Sequence, residues 1–314
     1  MKPSYHHISV LQNEIVEYAP PSTRTILDCT LGGGGHGHNL LEKYPKAFLY
    51  GIDRDSIAVN AADIRLQNFR KQTLLIHASF SELHDLYNKW GNPGFDFIIA
   101  DIGVSSEQLS CPERGFSFLN EGPLDMRMDP DRQHLTAEHL VNKANEHELV
   151  NILRNFGEER FARKIVSTIV AERRNKKFRT TLELAELVKN VIPSKMKKKG
   201  INPATKTFQA LRIAVNNELM ELTSLLENVP SFLNNAGRIA VISFHSLEDR
   251  IVKHQFRKWE NPCVCPTDLP YCVCGGISLG KVLTRRQVKA SKEELAKNPR
   301  SRSAHLRVFA KTSR

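Results

Sequence analysis

A glycine run directly behind a short apolar segment limits this chain most strongly: Thr25-Ile-Leu-Asp-Cys-Thr30 leads into Leu31-Gly-Gly-Gly-Gly-His36-Gly37. Glycines in that place let the backbone turn tightly and come close to a ligand. Three more short apolar runs follow, Ala47–Asp53, Thr73–His77 and Phe95–Asp101, with helix-compatible stretches between them, such as Ser56–Phe69 with Ile57, Ala61, Ile64 and Leu66. This strand–helix rhythm predicts a parallel sheet with helices on both faces. Strands without polar alternation suit a sheet buried on both sides.

The next convincing strand is Arg238–Phe244, behind the turn signal Asn235-Ala-Gly237, so 136 positions separate Ile102 from Arg238. A parallel crossover needs only a dozen or more residues. Most of the gap therefore reads as an insertion, and its residues look helical. Asn145-Glu-His-Glu148 and Thr180-Thr-Leu-Glu183 have capping-box spacing ahead of apolar positions. Phe208, Leu211, Val215, Leu219, Leu222 and Leu226 form one long apolar stripe leading back to the sheet. The expected organisation is a sheet domain in two parts, 1–107 and 211–314, around an all-helical domain at 108–210. Lys281–Leu283 and Leu306–Phe309 are candidates for an antiparallel edge.

Apolar residues make up 40% of the 314-residue chain, enough for a substantial core. No unbroken apolar stretch reaches the roughly 18 residues of a membrane span. Met1–Val10 lacks the apolar centre of a secretory signal, so a cytoplasmic protein without a membrane partner is expected. The formal net charge is +11, and Lys281–Arg314 alone holds eleven Lys or Arg against Glu293 and Glu294, a net +9. Further basic runs are Arg173, Arg174, Lys176, Lys177 and Arg179, and Lys195 to Lys199. Three such runs favour a polyphosphate partner over a solvated surface.

Two carboxylates narrow the ligand. Asp53 ends the second run about 20 residues past the loop, where a carboxylate can accept hydrogen bonds from ribose hydroxyls. Gly32-x-Gly34-x-x-Gly37 also fits the dinucleotide fingerprint, so the loop alone does not choose between a nicotinamide cofactor and S-adenosyl-L-methionine. Asp28 ends the first run. Its charge is awkward beside a pyrophosphate and useful beside a cationic methionine moiety. Asp101 ends the fourth run at the carboxyl edge where such sheets bind ligands, and is followed by Ile102-Gly-Val-Ser-Ser106. Phe80, after the third run, can pack on adenine or sit in the core.

At this point the sequence resembles the bacterial small-subunit rRNA cytosine-N4 methyltransferases, the RsmH/MraW family, over nearly its whole length. The resemblance rests on His7–Val10, Asp28–His36, Gly51-Ile-Asp53, Asp101–Ser106 with Gln108, Arg114–Phe118, Gly122–Asp129, Gly157–Phe161, Pro203–Arg212, Ile242–Arg250 and Asn298–Ser303. It implies an α/β class I, Rossmann-like S-adenosylmethionine-dependent methyltransferase sheet with an inserted helical substrate-recognition domain. It implies methylation of the exocyclic amine of a cytidine in the decoding region of 16S rRNA. The partner would be 16S rRNA or the assembled small subunit; DNA is not expected, and a homodimer is left open. The family's cofactor contacts map onto Gly34, Gly35, His36, Asp53, Phe80, Asp101 and Gln108. Lys206 stands where family members use Arg.

Candidates for the chemistry itself are fewer. Accepting a hydrogen bond from the cytosine amine would favour its nucleophilic geometry, and Asp101 or nearby carbonyls are placed to do so. Many amino-methyltransferases follow that position with an aromatic residue; here Phe116 or Phe118 would have to stack the base or else belong to the core. Asp125, Arg127 and Asp129 form either an ion-pair ladder or part of the target pocket. His245, after the fifth strand, could accept a proton or serve as a structural histidine. Cys263-Val-Cys265 and Cys272-Val-Cys274 suit zinc chemically. Their Cys-x-Cys spacing differs from the commoner knuckle, and no metal is counted among the expected site residues. Two other classes stay open: an NAD-dependent oxidoreductase, and a non-catalytic RNA-binding assembly factor.

Overall fold

The computed structural model describes residues 9–197, 200, 202–266, 271 and 273–312. Within them seven strands form one sheet: β1 (Thr25–Asp28), β2 (Phe48–Asp53), β3 (Thr73–His77), β4 (Phe95–Asp101), β5 (Leu233–Ser243), β6 (Gly280–Val282) and β7 (His305–Lys311). Their order is β3-β2-β1-β4-β5-β7-β6. The first five are parallel, and β7 runs antiparallel to both β5 and β6. This is the class I methyltransferase sheet expected from the sequence. The late segments form its antiparallel edge, although β7 lies between two neighbours and only β6 ends the sheet.

Side chains along the strands divide between two cores, as the two-residue period of a strand requires. Ile26, Leu49, Phe97, Ile99, Ala240, Ile242, Leu306 and Val308 pack with residues of α1 (Gln12–Tyr18), α2 (Gly35–Lys43) and α3 (Ser56–Arg65). Their neighbours Leu27, Ile52, Ile98, Ala100, Ile239, Val241 and Phe309 pack on the other face. There they meet α4 (Leu83–Lys89) and two longer helices described below. Phe97, Ile98, Ile99 and Ala100 are each fully buried, which explains the absence of polar alternation in β4.

The chain divides into two compact units, Met1–Gly103 with Leu219–Arg314, and Val104–Glu218. The second unit is helical: α5 (Ser106–Ser110), α6 (Ala137–Lys143), α7 (Glu146–Asn155), α8 (Ala162–Glu172), α9 (Thr181–Val191) and α10 (Thr205–Asn216). Asn145 caps α7 by accepting from the Glu148 N–H. Thr180 and Glu183 close a reciprocal capping box on α9. The apolar faces of α7 to α10 supply Leu149, Leu153, Ile165, Val166, Ile169, Leu184, Val188, Phe208 and Leu211 to one core.

The apolar stripe from Phe208 to Leu226 is not one helix. Asn217 takes a left-handed conformation (φ 53°) and ends α10, and α11 (Glu218–Phe232) starts directly after it. Asn tolerates that backbone better than most residues, and the hydrophobic pattern continues across the break, so periodicity alone missed it. β5 also starts earlier than its apolar run: Leu233 pairs with Phe95 before the register shifts, and Arg238 resumes opposite Phe97. After β5 comes α12 (Ser246–Glu260), and α13 (Lys292–Lys297) precedes β7. Among the described residues no helix is long and apolar enough to cross a membrane.

Candidate active site at the strand ends

Parallel register brings three carboxylates to one edge of the sheet unit. Asp28 ends β1 opposite Gly51 of β2 and Ile99 of β4, while Asp53 and Asp101 end β2 and β4. Three neighbouring strands, β2, β1 and β4, therefore each finish in an aspartate. Asp28 is completely buried; its Oδ1 accepts from the Thr30 N–H at 3.1 Å, and its Oδ2 has no hydrogen-bond partner among the described residues. Asp53 accepts the Gly32 N–H at 2.8 Å and the Asp55 N–H at 2.9 Å, one on each oxygen. Those bonds leave acceptor capacity on both oxygens. Asp101 is fixed through its backbone, whose N–H donates to Thr30 Oγ1 at 2.6 Å. Its Oδ1 is buried and without a partner among the described residues.

The glycine loop lies against these carboxylates. Gly34 has φ 74°, caps α2, and would bring a Cβ within 3.2 Å of the Ala62 Cβ. At Gly35 a Cβ would stand 2.0 Å from Ser9 Oγ, so any side chain there collides with the N-terminal segment. Behind the loop, α2 places His36 in the interior, 5% exposed, with Nε2 3.7 Å from Asp101 Oδ2. That separation is an ion-pair distance, too long for a hydrogen bond, and both ring nitrogens lack a hydrogen-bond partner among the described residues.

Desolvation and mutual charge set the protonation of this cluster. Burial pushes the Asp28 carboxyl up to about 6, against the pull of His36 and the Thr30 N–H. Burial lifts Asp53 to about 6 as well, although the N–H groups of Asp55 and Gly32 oppose it. For His36 burial opposes the charged form, yet Asp101, Asp28 and Glu294 outweigh it and raise the imidazole above its usual range. Above about pH 6 Asp28 and Asp53 thus place negative charge at these strand ends, that of Asp28 entirely out of solvent. Such a site takes a cation with hydrogen-bond donors.

The family model described as the MraW methylase family matches residues 4–312. The chain belongs to that family. It is a methyltransferase, and S-adenosylmethionine is its methyl donor. A "Ribosomal RNA small subunit methyltransferase H" from Symbiobacterium thermophilum is 46% identical, over 98% of this chain and 97% of its own length. The protein of the same name from Trichlorobacter lovleyi is 48% identical over 98% of both chains. Geobacter sp. strain M21 has one at 46% identity over 98% of this chain and 99% of its own. Membership of a methylase family sets aside both the oxidoreductase and the non-catalytic assembly factor.

The residues present fit that donor. A sulfonium and an ammonium suit the unpartnered oxygens of Asp28 and Asp101, and a ribose diol suits the remaining lone pairs of Asp53. Phe80 opens a short turn after β3, capped by Ser79 and Glu82, and packs at the margin of one sheet core. The structure thus gathers Gly34, Gly35, His36, Asp53, Phe80 and Asp101 in the sheet unit. Gln108 lies in the helical unit, 5% exposed, where it closes a capping box with Ser105 at the start of α5.

His245, a candidate proton acceptor, is the N-cap residue of α12: its Nδ1 accepts from the Glu248 N–H at 3.4 Å, and its Nε2 lies 2.9 Å from Glu248 Oε1. In the helical unit Phe116 is 6% exposed in the core, and Phe118 packs edge-on against Phe208. Asp125 and Arg127 form a two-bond ion pair, while Asp129 instead caps a turn by accepting from the Arg132 N–H. Arg114 donates to the carbonyls of Arg127 and Met128, so the two motifs of this stretch are folded onto each other.

Sequence reasoning passed over Thr30, which links Asp28 to Asp101, and Asn216, which holds the Met126 carbonyl and the Met128 N–H at 2.7 and 2.8 Å. It also passed over Glu294, whose Oε1 accepts the Leu11 N–H at 2.8 Å and whose charge bears on His36. The pair Glu293-Glu294, the two acids of a +9 segment, was the available signal. One basic residue of that segment is not on the surface. Arg307 is 6% exposed and makes two bonds to Asp249, at 2.6 and 3.0 Å, so its charge is consumed inside the fold.

Proposed function

We propose that this chain methylates the exocyclic N4 amine of a cytidine in the decoding region of 16S rRNA, with the rRNA presented naked or in the assembled small subunit. Support comes from relatives between 42% and 48% identical that carry the name Ribosomal RNA small subunit methyltransferase H. The observation that carries the chemistry is the buried, unpartnered Oδ1 of Asp101 at the carboxyl edge of β4. When bound, S-adenosylmethionine supplies an electrophilic methyl group. Gly34 and Gly35 keep the loop low enough to admit it, Asp53 holds the ribose, and Asp28 faces the cationic end. Phe80 offers a face for the adenine, and Gln108 is the further residue that the family resemblance assigns to the donor.

The cytosine amine is a poor nucleophile because its lone pair is delocalised into the ring. Asp101 Oδ1 accepts an N–H of that amine, favours the tetrahedral geometry, and takes the proton released as the N–C bond forms. His36 stabilises Asp101 before that and relinquishes its hold as the carboxyl is neutralised. Alignment then accounts for most of the rate, as in other reactions of a strongly activated donor. Exposed Arg174, Lys176, Lys177 and Arg179 of the helical unit bind the RNA backbone, as do Arg300 and Arg302 of the sheet unit. A base in a loop reaches the pocket more readily than one in a duplex.

The test is methyl transfer from labelled S-adenosylmethionine to assembled small subunits, naked 16S rRNA and a DNA control, with nucleoside analysis of the product. Label in N4-methylcytidine from ribosomal material is expected. Label in another nucleoside, or no transfer to ribosomal material by protein that binds the donor, overturns the proposal.

A further inference from the structure

Among the described residues of the loop joining α12 to β6, only Leu279 at its end packs against a core. The loop spans residues 261–279 without regular secondary structure in its described part, longer than the roughly 12–15 residues usual for such a connection. Its neck is closed: the Leu279 N–H donates to the Trp259 carbonyl at 2.8 Å, and a Cβ on Gly276 would lie 3.1 Å from the Pro262 carbonyl. Beyond the neck, the large apolar side chains among the described residues face water. Val264 is 83% exposed, Tyr271 77%, Val273 75% and Ile277 66%. A segment with that many water-facing apolar side chains has no core of its own, and small units in this position are commonly fastened by a covalent or metal link.

What converges instead is sulfur. The ligand atoms of Cys263, Cys265 and Cys274 all lie within 4.8 Å of one another. In a straight strand, side chains two positions apart share a face but stand well separated along it. Here the chain bends at Cys265, and Gly275, directly after Cys274, takes φ 67°. The Val273 N–H points at Cys265 Sγ at 3.3 Å, the kind of backbone donor that stabilises a thiolate. Cys272, the remaining cysteine of the run, lies outside the described residues.

We propose that Cys263, Cys265 and Cys274 bind a zinc ion that fastens the loop between α12 and β6. Three sulfurs at this separation match the corners of a tetrahedron with Zn–S distances of about 2.3 Å, once small rotations bring them onto a common ion. Each thiol gives its proton to solvent as it binds, and no electron changes hands. The ion replaces the missing core: its binding free energy becomes ordering free energy for the loop. The site is separate from the strand-end carboxylates and does not depend on the substrate assigned to them.

Zinc content of the full-length chain, purified without chelator and refilled with zinc chloride, decides the matter. About one zinc per chain is expected, resistant to a colorimetric chelator until a mercurial modifies the thiols, and lost in Cys263→Ser, Cys265→Ser and Cys274→Ser. Cobalt substituted into the unmutated protein is expected to give thiolate charge-transfer absorption, which keeps the test valid even where a variant folds poorly. Proteolysis within 261–279 is expected to slow at least tenfold on adding zinc to the apo form. Zinc that the chelator strips at once, or no zinc together with no cobalt–thiolate absorption, overturns the proposal, whether the thiols are then reduced or disulfide-bonded.

Discussion

The helical unit and the strand ends of the sheet unit treat their carboxylates differently. In the helical unit each buried carboxylate described has a partner: Glu218 takes two bonds from Arg212, Glu159 accepts the Phe161 N–H and Asp129 that of Arg132, and the half-buried Asp125 takes two bonds from Arg127. At the strand ends of the sheet unit, Asp28 Oδ2 and Asp101 Oδ1 are buried with none among the described residues. A paired buried charge is structural. An unpaired one weakens the fold unless something arrives to meet it. Charge alone therefore does not mark a site in this molecule; the failure to use a charge internally does.

Deleting one charge from each side breaks or sharpens this contrast. Arg212→Met leaves Glu218 stranded at 6% exposure, and stability is expected to fall by about 3–5 kcal/mol in denaturant titration. A loss below about 1 kcal/mol would mean that the helical unit does not depend on its pairs.

Asp28→Asn is expected to move the other way. The folded carboxyl titrates at about 6 against 3.8 unfolded, so its neutral form is favoured by folding. The stability this contributes is complete below about pH 4 and disappears as pH rises through 6. At pH 8 the wild type therefore carries a buried charge that the variant lacks. The variant is expected to be about 2–3 kcal/mol more stable there, with little difference at pH 4. Melting curves at the two pH values check this, and equal destabilisation at both would remove Asp28 from the unpaired class.

Asp53→Ala should weaken S-adenosylmethionine binding at least tenfold, about 1.4 kcal/mol, through lost ribose contacts. Wild-type affinity should tighten as pH rises through 6, where Asp53 and Asp28 ionise. Calorimetric titration of the two proteins reads both effects, and an unchanged dissociation constant in the variant removes Asp53 from the cofactor site.

The strands and the loop were legible because their signals are local. A short apolar run leading into glycines, and an aspartate closing three of the four runs, need no long-range knowledge. What escaped depends on partners far away in sequence. Arg307 reads as one more cation of the basic tail until Asp249, 58 positions earlier, is seen to hold it in the interior. Glu294 reads as surface charge until it meets Leu11, 283 positions away. Asn217 fell inside an unbroken hydrophobic period, which reports the buried face and is blind to a single left-handed residue. Phe116 and Phe118 carry no mark distinguishing a core ring from a stacking platform, and only packing decides.

The placement of β7 between β5 and β6 sets a timetable for making this protein. β5 pairs Arg238 with Ala310, so one of its edges stays open until β7 has been synthesised. Until then Ile239, Val241 and their neighbours form an unprotected apolar strand edge, a template for pairing with another chain. Every nascent copy passes through that stage, and any copy truncated ahead of His305 never leaves it. Chain termination ahead of β7 therefore leaves an aggregation-prone sheet, although the glycine loop and all three strand-end aspartates would still be present in the truncated sequence.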